Sequence, residues 1–356
     1  MESDRSKASQ QRICHVNLSA GYRGGERQTE LLVRDLAARG WPQRLVVRRG
    51  SALTERCRGL PGLEIVDVPP NPLNAAVAAR GSALVHAHEA RAVYAGWLLK
   101  ISSGTPYVLT RRLHHAENGS VVRTRAYRAS DCVVAISGSI AESVACRYEG
   151  MAITVVHDAH ADMLNGHSKC RSALPGLAGK TVIGHLGELD HSHKGQGTII
   201  EAARAMRESD PGVHFVLVGE GRDEQRLRRA AAGLDNVVFA GFVENVEEYL
   251  AAFDLFVYPS LYEGLGSSLL DAMAFGLPIA ASNVGGIPEV VEHGVNGLLI
   301  PPDDAGALVG ALRRLLSDSQ LRNTMARENR ARAAEFDTDR MTTAYESIYR
   351  SILPAG

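Results

Sequence analysis

Long apolar runs are missing from this sequence. Stretches such as Leu255-Phe256-Val257 and Ile279-Ala280-Ala281 are strand-sized, far short of the roughly 20 residues a membrane-spanning helix needs. The opening MESDRSKASQQR has no apolar signal core, so the expectation is a cytoplasmic protein, not a secreted one. Cysteine is sparse: Cys14, Cys57, Cys132, Cys146 and Cys170 are odd in number and show no CxxC spacing. That excludes a disulfide frame or a cysteine zinc site as the organising device. No repeat of 20–50 residues signals a solenoid. The net charge of −1 and the near-neutral pI speak against a nucleic-acid partner.

What is present is an ordinary globular composition, 45% hydrophobic and 22% charged, over 356 residues, enough for two domains. The near-neutral total conceals an asymmetry. Residues 1–170 hold 22 Lys+Arg against 15 Asp+Glu, and the remainder 17 against 25. A basic first half suits an anionic acceptor or an anionic membrane surface, or simply reflects arginine on solvated faces.

Short apolar runs alternate with helical stretches. Strands are expected at Ile13–Val16, Arg44–Val47, Leu63–Val68, Ala83–His86, Tyr107–Thr110 and Cys132–Ile136. A polar stretch from Asp158 to Ser172 interrupts the pattern, which then restarts. Strands follow at Thr181–His185, His214–Gly219, Val237–Gly241, Leu255–Val257, Pro278–Ala281 and Gly297–Ile300, and helical segments at 304–332 and 338–352. The fold class is therefore α/β: two Rossmann-like, doubly wound parallel sheets facing across a cleft. The expected domains are 1–165, with a final helix at about 338–356 packing back on it, and 171–337.

The segment Pro259-Ser260-Leu261-Tyr262-Glu263-Gly264-Leu265-Gly266-Ser267-Ser268, continuing to Asp271, follows a strand and opens a helix. Free N–H groups at such a helix start face an anion, with the carboxylates of Glu263 and Asp271 nearby to take sugar hydroxyls. A plain glycine-rich turn has the same local pattern. The histidine pairs His86-x-His88 and His191-x-His193 suggest a metal, but neither spacing supplies the further ligands zinc requires, so no metal site is expected.

Glu263-x7-Asp271 resembles the Glu-x7-Glu signature of the retaining GT-B glycosyltransferases of family 4. The resemblance runs along nearly the whole chain in the family's order. It includes Gly24-Gly25 with Glu26, Val85-His86-Ala87-His88-Glu89, Val155-Val156-His157-Asp158, Lys194-Gly195 and Val218-Gly219-Glu220-Gly221. Gly285-Gly286-Ile287-Pro288-Glu289 and Gly294-Val295-Asn296-Gly297 complete it. It implies that Lys194 neutralises the donor diphosphate, helped by backbone N–H groups at Gly266, Ser267 and Ser268 and, from the first domain, at Gly24 and Gly25. It further implies that Glu263 holds the donor sugar, Asp271 the ribose, and Gly241 and Val243 the base, with Gly187 also in the donor site. His88 and Arg111 would stand near the reacting centre, and His88, Thr110, Arg111 and Arg112 on the acceptor side. No cofactor is implied. The donor would be a nucleotide sugar, UDP type first, with GDP or ADP as alternatives, and the family is mostly metal-independent.

Three positions depart from the family. Glu188 stands in Gly187-Glu188-Leu189 where many relatives have a phosphate-binding arginine, so its side chain is expected to point away. Asp271 is one methylene shorter than the usual Glu. Thr110-Arg111-Arg112, with His114 and His115 beyond, replaces a histidine found near the transferred sugar, as in a subgroup tied to cell-surface saccharides and lipopolysaccharide. Arg123, Arg125 and Arg128 extend that basic cluster, which suits a phosphate-bearing glycolipid or an anionic inner leaflet. The resemblance thus implies a retaining hexosyltransferase acting on a glycan or glycolipid. A nucleotide-sugar epimerase of the same fold and a non-catalytic sugar-nucleotide-binding protein are the alternatives.

Overall fold

The computed structural model describes residues 12–113, 120–161 and 173–353. The chain divides into two compact units, Met1–Ala159 with Thr338–Gly356, and His160–Asp337.

Unit 1 is a seven-stranded parallel sheet of order β3-β2-β1-β4-β5-β6-β7. Its strands are β1 (Ile13–Asn17), β2 (Gln43–Arg48), β3 (Leu63–Val68), β4 (Leu84–Ala87), β5 (Tyr107–Arg111), β6 (Cys132–Ala135) and β7 (Ile153–Val155). Between them run α1 (Gly24–Ala38), α2 (Ala52–Arg56), α3 (Pro72–Ala78), α4 (Ala92–Ser103), α5 (Val121–Arg128) and α6 (Gly138–Arg147). All strands run parallel, and the direction in which successive strands are added reverses between β1 and β4, the switch point where doubly wound sheets take their ligands. The central strands β1, β4 and β6 are buried along their whole length, as strands covered on both faces must be.

Unit 2 repeats the plan with six strands in the order β10-β9-β8-β11-β12-β13. They are β8 (Thr181–Leu186), β9 (Val213–Val218), β10 (Val237–Gly241), β11 (Leu255–Tyr258), β12 (Ile279–Ser282) and β13 (Gly297–Ile300). The helices are α7 (His191–Lys194), α8 (Gln196–Met206), α9 (Glu224–Ala230), α10 (Val246–Ala252), α11 (Ser267–Ala274), α12 (Ile287–Val290), α13 (Ala305–Ser317) and α14 (Ser319–Ala333). The helical stretch expected from 304 to 332 is two helices. Asp318 ends α13 and its carboxylate accepts the Leu321 N–H at 2.8 Å to start α14. The core lies between β8, β9 and β11 and helices α8 and α13, with Ile183, Ile199, Phe215, Leu255 and Leu312 buried.

The last helix, α15 (Thr338–Ile352), belongs to unit 1. Tyr345, Ile348 and Tyr349 enter the cluster built by Ile13, Leu36, Val108 and Val134. Arg39 at the end of α1 fixes it through Glu346 (2.7 Å) and Asp339 (2.8 Å), and the Trp41 indole N–H donates to Glu346.

Candidate functional site

In unit 2, the chemistry-bearing side chains gather where β8 and β11 end. After β8, Asp190 organises the short α7. Its backbone carbonyl accepts from His193 N (3.1 Å) and Lys194 N (2.8 Å), and its carboxylate takes the Ser192 hydroxyl (2.6 Å) and Arg222 (2.9 Å). Burial opposes the charge, but the Ser192 and Arg222 hydrogen bonds hold Asp190 down at about 2. The chain then turns at Gly195, whose φ is +64° and whose missing Cβ would lie 2.0 Å from the Pro259 carbonyl oxygen. Leu261 N donates to His193 O at 2.8 Å, so the loops following β8 and β11 are clipped together.

That clip sets Lys194 against the end of β11. Its ammonium donates to Glu263 Oε2 (2.5 Å) and to the Tyr258 hydroxyl (3.0 Å). Glu263 Oε2 also accepts from Tyr258 (2.8 Å) and Ser260 (3.3 Å). The side chains of Lys194 and Glu263 are 22% and 13% exposed. Burial alone would neutralise both. The Glu263 carboxylate overrides it and raises the Lys194 pKa, while the Lys194 ammonium overrides it and lowers that of Glu263. The pair is therefore ionic at neutral pH, with one face left to solvent.

Around this pair, Gly187, Gly219 and Gly241 close the ends of β8, β9 and β10. Gly187 N donates to Val218 O (3.0 Å) and Gly219 N to Gly241 O (2.8 Å). Val243 is half-buried beside an exposed Phe242. Gly266 caps α11, so the half-buried Ser267 and Ser268 supply the first N–H groups of that helix. Asp271 is fully buried, and its Oδ1 accepts the Ala161 N–H at 3.1 Å. The half-buried Glu188 gives its carbonyl oxygen to Gln196 Nε2 (2.7 Å), and its charge is felt by Arg222.

Sequence reasoning missed Tyr258, Ser260 and Arg222 here. The signal for the first two was their place directly beside Pro259. Tyr258 touches both ions, which makes it a positioning residue. Tyr258→Phe is expected to keep the fold, lower stability by about 1 kcal/mol and reduce turnover roughly tenfold. Unchanged turnover in a steady-state assay would show that Lys194 and Glu263 hold their positions without it.

In unit 1, the period-two alternation of β5 sends Thr110 toward α15. Thr110 is 6% exposed and its hydroxyl bonds His86 Nε2 (2.7 Å) and Tyr345 (2.9 Å). His86 Nδ1 bonds Tyr349 (2.6 Å), and His88, 4% exposed, pairs through Nε2 with His15 Nδ1 (3.0 Å). Thr110 and His88, expected to face an acceptor, are thus turned into a buried polar network. The expectation that no third ligand accompanies His86 and His88 is corrected. Strand pairing puts His15 opposite His86, and the ligand atoms of the three rings lie within 4.8 Å of one another. Two strands 70 residues apart in sequence meet here, which no local spacing reveals. Both His86 nitrogens already bond hydroxyls, so the cluster stands as hydrogen-bonded packing.

Burial pushes His15 down to about 3 and, with neighbouring rings and Arg112 adding to it, His86 and His88 well below the ordinary imidazole range. The unfolded chain takes up protons at these rings near pH 6.5 and the folded one does not. Stability is therefore full above that pH and falls as pH drops toward the folded values, by about 1.4 kcal/mol per pH unit per ring. The melting temperature is expected to fall steadily from about pH 6.5 to 5, and His88→Gln to flatten the slope. Equal slopes in calorimetry would remove the cluster as the cause.

Beside the network, Gly25 in the first turn of α1 lies against Arg112; a Cβ there would be 3.5 Å from Arg112 Cδ. Gly24 opens the same turn. Arg112 pairs with the buried Asp158 (3.3 Å) and reaches the His88 carbonyl (3.4 Å). Arg111 is half-buried at the end of β5. Gln28 clamps Ala159 through both its amide atoms, at 2.7 and 2.9 Å. His114, His115 and most of the 158–172 stretch lie outside the described residues.

Residues 180–318 match the family model described as glycosyl transferases group 1. The chain is 29% identical over 233 residues to a lipopolysaccharide core biosynthesis glycosyltransferase, LpsE, of Rhizobium meliloti, covering 63% of this chain and 66% of that protein. It is 30% identical over 276 residues to a glycogen synthase of Mycobacterium tuberculosis, covering 74% and 61%. The matches to these curated relatives thus span less than two thirds of their length. Among solved structures, Anabaena Alr3699/HepE in complex with UDP and glucose superposes with a TM-score of 0.83 at 23% identity, covering 96% of this chain and 100% of that one.

Proposed function

From a chain that carries a group 1 glycosyl transferase domain at 180–318 on a GT-B fold, we propose that it transfers a sugar from a nucleoside-diphosphate sugar to a hydroxyl of a glycan or glycolipid, with retention at the anomeric carbon. The observation that carries this reading is the half-open ion pair of Lys194 and Glu263, supported by Tyr258 at the C-terminal end of the central strand β11.

Departure of the nucleoside diphosphate builds negative charge on phosphate oxygens, which a fixed ammonium and helix N–H groups stabilise. Lys194 and the backbone at Gly266, Ser267 and Ser268 supply these. When the diphosphate takes Lys194 as its partner, Glu263 is released to accept hydrogen bonds from the sugar. Gly187, Gly241 and Val243 border the nucleoside. Asp271 reaches the ribose only if it gives up the Ala161 N–H; as it stands it ties that segment to α11. Arg111 and Arg112 meet an anionic group on the acceptor, and His88 and Thr110 act through the residues they hold. The acceptor hydroxyl attacks on the face the phosphate leaves, and the leaving phosphate oxygen takes its proton. No protein nucleophile and no metal enter this scheme.

The donor we propose first is UDP-linked, since UDP and glucose occupy the Anabaena protein. The name of the Rhizobium relative directs the acceptor toward cell-surface saccharide synthesis. Among the described residues no helix is long and apolar enough to cross a membrane. A cytoplasmic protein in peripheral contact with the membrane fits.

Thermal unfolding with UDP, GDP, ADP and their sugars, with and without EDTA, tests the donor site. A ligand at 100 times its dissociation constant adds about 2.7 kcal/mol, a melting shift of several degrees. One nucleotide should give it regardless of EDTA, and its sugar conjugate should be consumed only with an acceptor glycan present. Absence of a shift with every nucleotide would overturn the reading, and interconversion of the sugar without acceptor would make the protein an epimerase.

A further inference from the structure

Next to the Lys194–Glu263 pair lies a titratable side chain that the transfer scheme leaves unused. His185, near the end of β8, is fully buried, and two residues on Gly187 begins the turn that leads to Lys194. A methyl group on Gly187 would stand 3.6 Å from His185 Nε2 and 3.9 Å from Lys194 Cδ, so the turn lies against both the imidazole and the lysine stem. The ring of Tyr258, whose hydroxyl touches both ions, has its centroid 5.9 Å from that of His185.

The partners of the imidazole determine where its proton sits. His185 Nδ1 is 3.0 Å from the carbonyl oxygen of Val257 on β11. A carbonyl only accepts, so Nδ1 carries the proton. Nε2 is 3.3 Å from the amide nitrogen of Gln196, the fully buried first residue of α8. The same nitrogen donates to the Glu188 carbonyl at 2.7 Å, which fixes which end of the amide stands there. An amide nitrogen only donates, so Nε2 accepts and the ring is neutral. Burial favours the same state, holding His185 down at about 4 against the Val257 bond; the Lys194 ammonium adds to the effect and the Glu263 carboxylate opposes it.

This amide is joined to the lysine through backbone. The Glu188 carbonyl that accepts from Gln196 also accepts the Asp190 N–H (2.8 Å), and the Asp190 carbonyl accepts the Lys194 N–H (2.8 Å). Hydrogen bonds thus run from β11 through His185 and Gln196 to the turn and on to Lys194. A proton on Nε2 would set N–H against N–H and turn the amide over, bringing its oxygen against the Glu188 oxygen. Gln196 Oε1 has no hydrogen-bond partner among the described residues, so His185 and Glu188 alone orient the amide.

We propose that His185 and Gln196 are positioning residues for the diphosphate of the donor: a neutral, Nδ1-protonated His185 orients Gln196, which fixes the Gly187–Glu188 turn and the Lys194 ammonium relative to each other. The inference rests on the donor reading above. Neither side chain touches the ligand; both act through the turn and the lysine.

Two readouts separate this role from plain packing. At neutral pH, nitrogen NMR should show the His185 proton on Nδ1, its signals picked out from those of the 13 histidines by their loss in His185→Gln. Calorimetry with UDP and with uridine, which lacks the phosphates, gives the second. Gln196→Met keeps the volume and cannot donate, so it should weaken UDP binding roughly tenfold and leave uridine binding unchanged. His185→Phe should also weaken UDP binding, and His185→Gln, which returns an acceptor to the Gln196 amide, should restore it, with circular dichroism unchanged in all three. A proton on Nε2 overturns the proposal. So does a Gln196→Met protein that binds UDP as the parent does, or that loses UDP and uridine alike. A parent that binds no nucleoside diphosphate overturns the donor reading and this role with it, whichever nitrogen carries the proton.

Discussion

Removing Lys194 and Glu263 one at a time should cost more stability than removing both. Lys194→Ala leaves a carboxylate, 13% exposed, with only the hydroxyls of Tyr258 and Ser260 as partners. Glu263→Ala leaves an ammonium, 22% exposed, facing Tyr258. An orphaned buried charge costs about 3 kcal/mol, whereas loss of both ions removes the pair and its desolvation together. The double variant should therefore fall short of the sum of the singles by about 2 kcal/mol or more. Both tryptophans lie in unit 1, so hydrogen exchange in β8 and β11 is the measurement that reports on unit 2. Turnover should respond differently. Each single variant loses roughly a hundred- to a thousandfold in kcat, and the double loses little more, because the two act as one device. Single variants within about 1 kcal/mol of the parent would show a solvated pair and sink the reading of a half-buried, coupled site.

A single methyl group at residue 195 should disable the protein nearly as thoroughly. Gly195 has a φ of +64°, where an L side chain costs about 1 kcal/mol, and its Cβ would stand 2.0 Å from a backbone oxygen of Pro259. Backbone cannot swing aside as a side-chain tip does, so the loops after β8 and β11 must part. Lys194 precedes this turn and the Leu261–His193 bond spans it, so the ammonium moves with the loop. A displacement of about 1 Å at a reacting centre costs on the order of a hundredfold. Gly233→Ala provides the matching control. Its φ is +80° with nothing within 4 Å of the added Cβ, so it carries the backbone cost alone. Gly195→Ala should lose donor-dependent activity and several degrees of melting temperature; Gly233→Ala should lose about 1 kcal/mol and keep its kinetics. Equal behaviour of the two would show that the Pro259 contact relaxes freely.

The alternation of strands and helices was legible because each parallel strand is a short apolar run between polar turns, and most expected bounds fall within one residue of those observed. The break at Asp318 was written in the sequence too, as an aspartate ahead of Ser319 and Leu321, but the periodicity on both sides hid it. At the site, Lys194 and Glu263 were legible as members of motifs, and the contact between them was not. That contact depends on β8 and β11 lying side by side, a pairing between strands 70 residues apart. The histidines show the same limit. His86-x-His88 reads as a pair, while His15 joins it only through the register of β1 on β4. Thr110 was assigned to the acceptor side from the motif around it; its neighbour in α15 lies 235 residues further on, beyond the reach of any local pattern.

The helix α15 also has a consequence for how this protein is made. Ribosomes release chains from the N-terminus, at roughly 5–20 residues per second, so the whole of 160–337 emerges between Ala159 and the first turn of α15. For an interval on the order of ten to forty seconds the nascent unit 1 has seven strands and no cover over His15, His86 and Thr110. Tyr345 and Tyr349, which hydrogen-bond Thr110 and His86, are translated only after the whole of unit 2. The second domain to begin is therefore the first able to finish. A chain cut short between Asp337 and Tyr345 is therefore expected to keep unit 2 protected and leave unit 1 open to limited proteolysis.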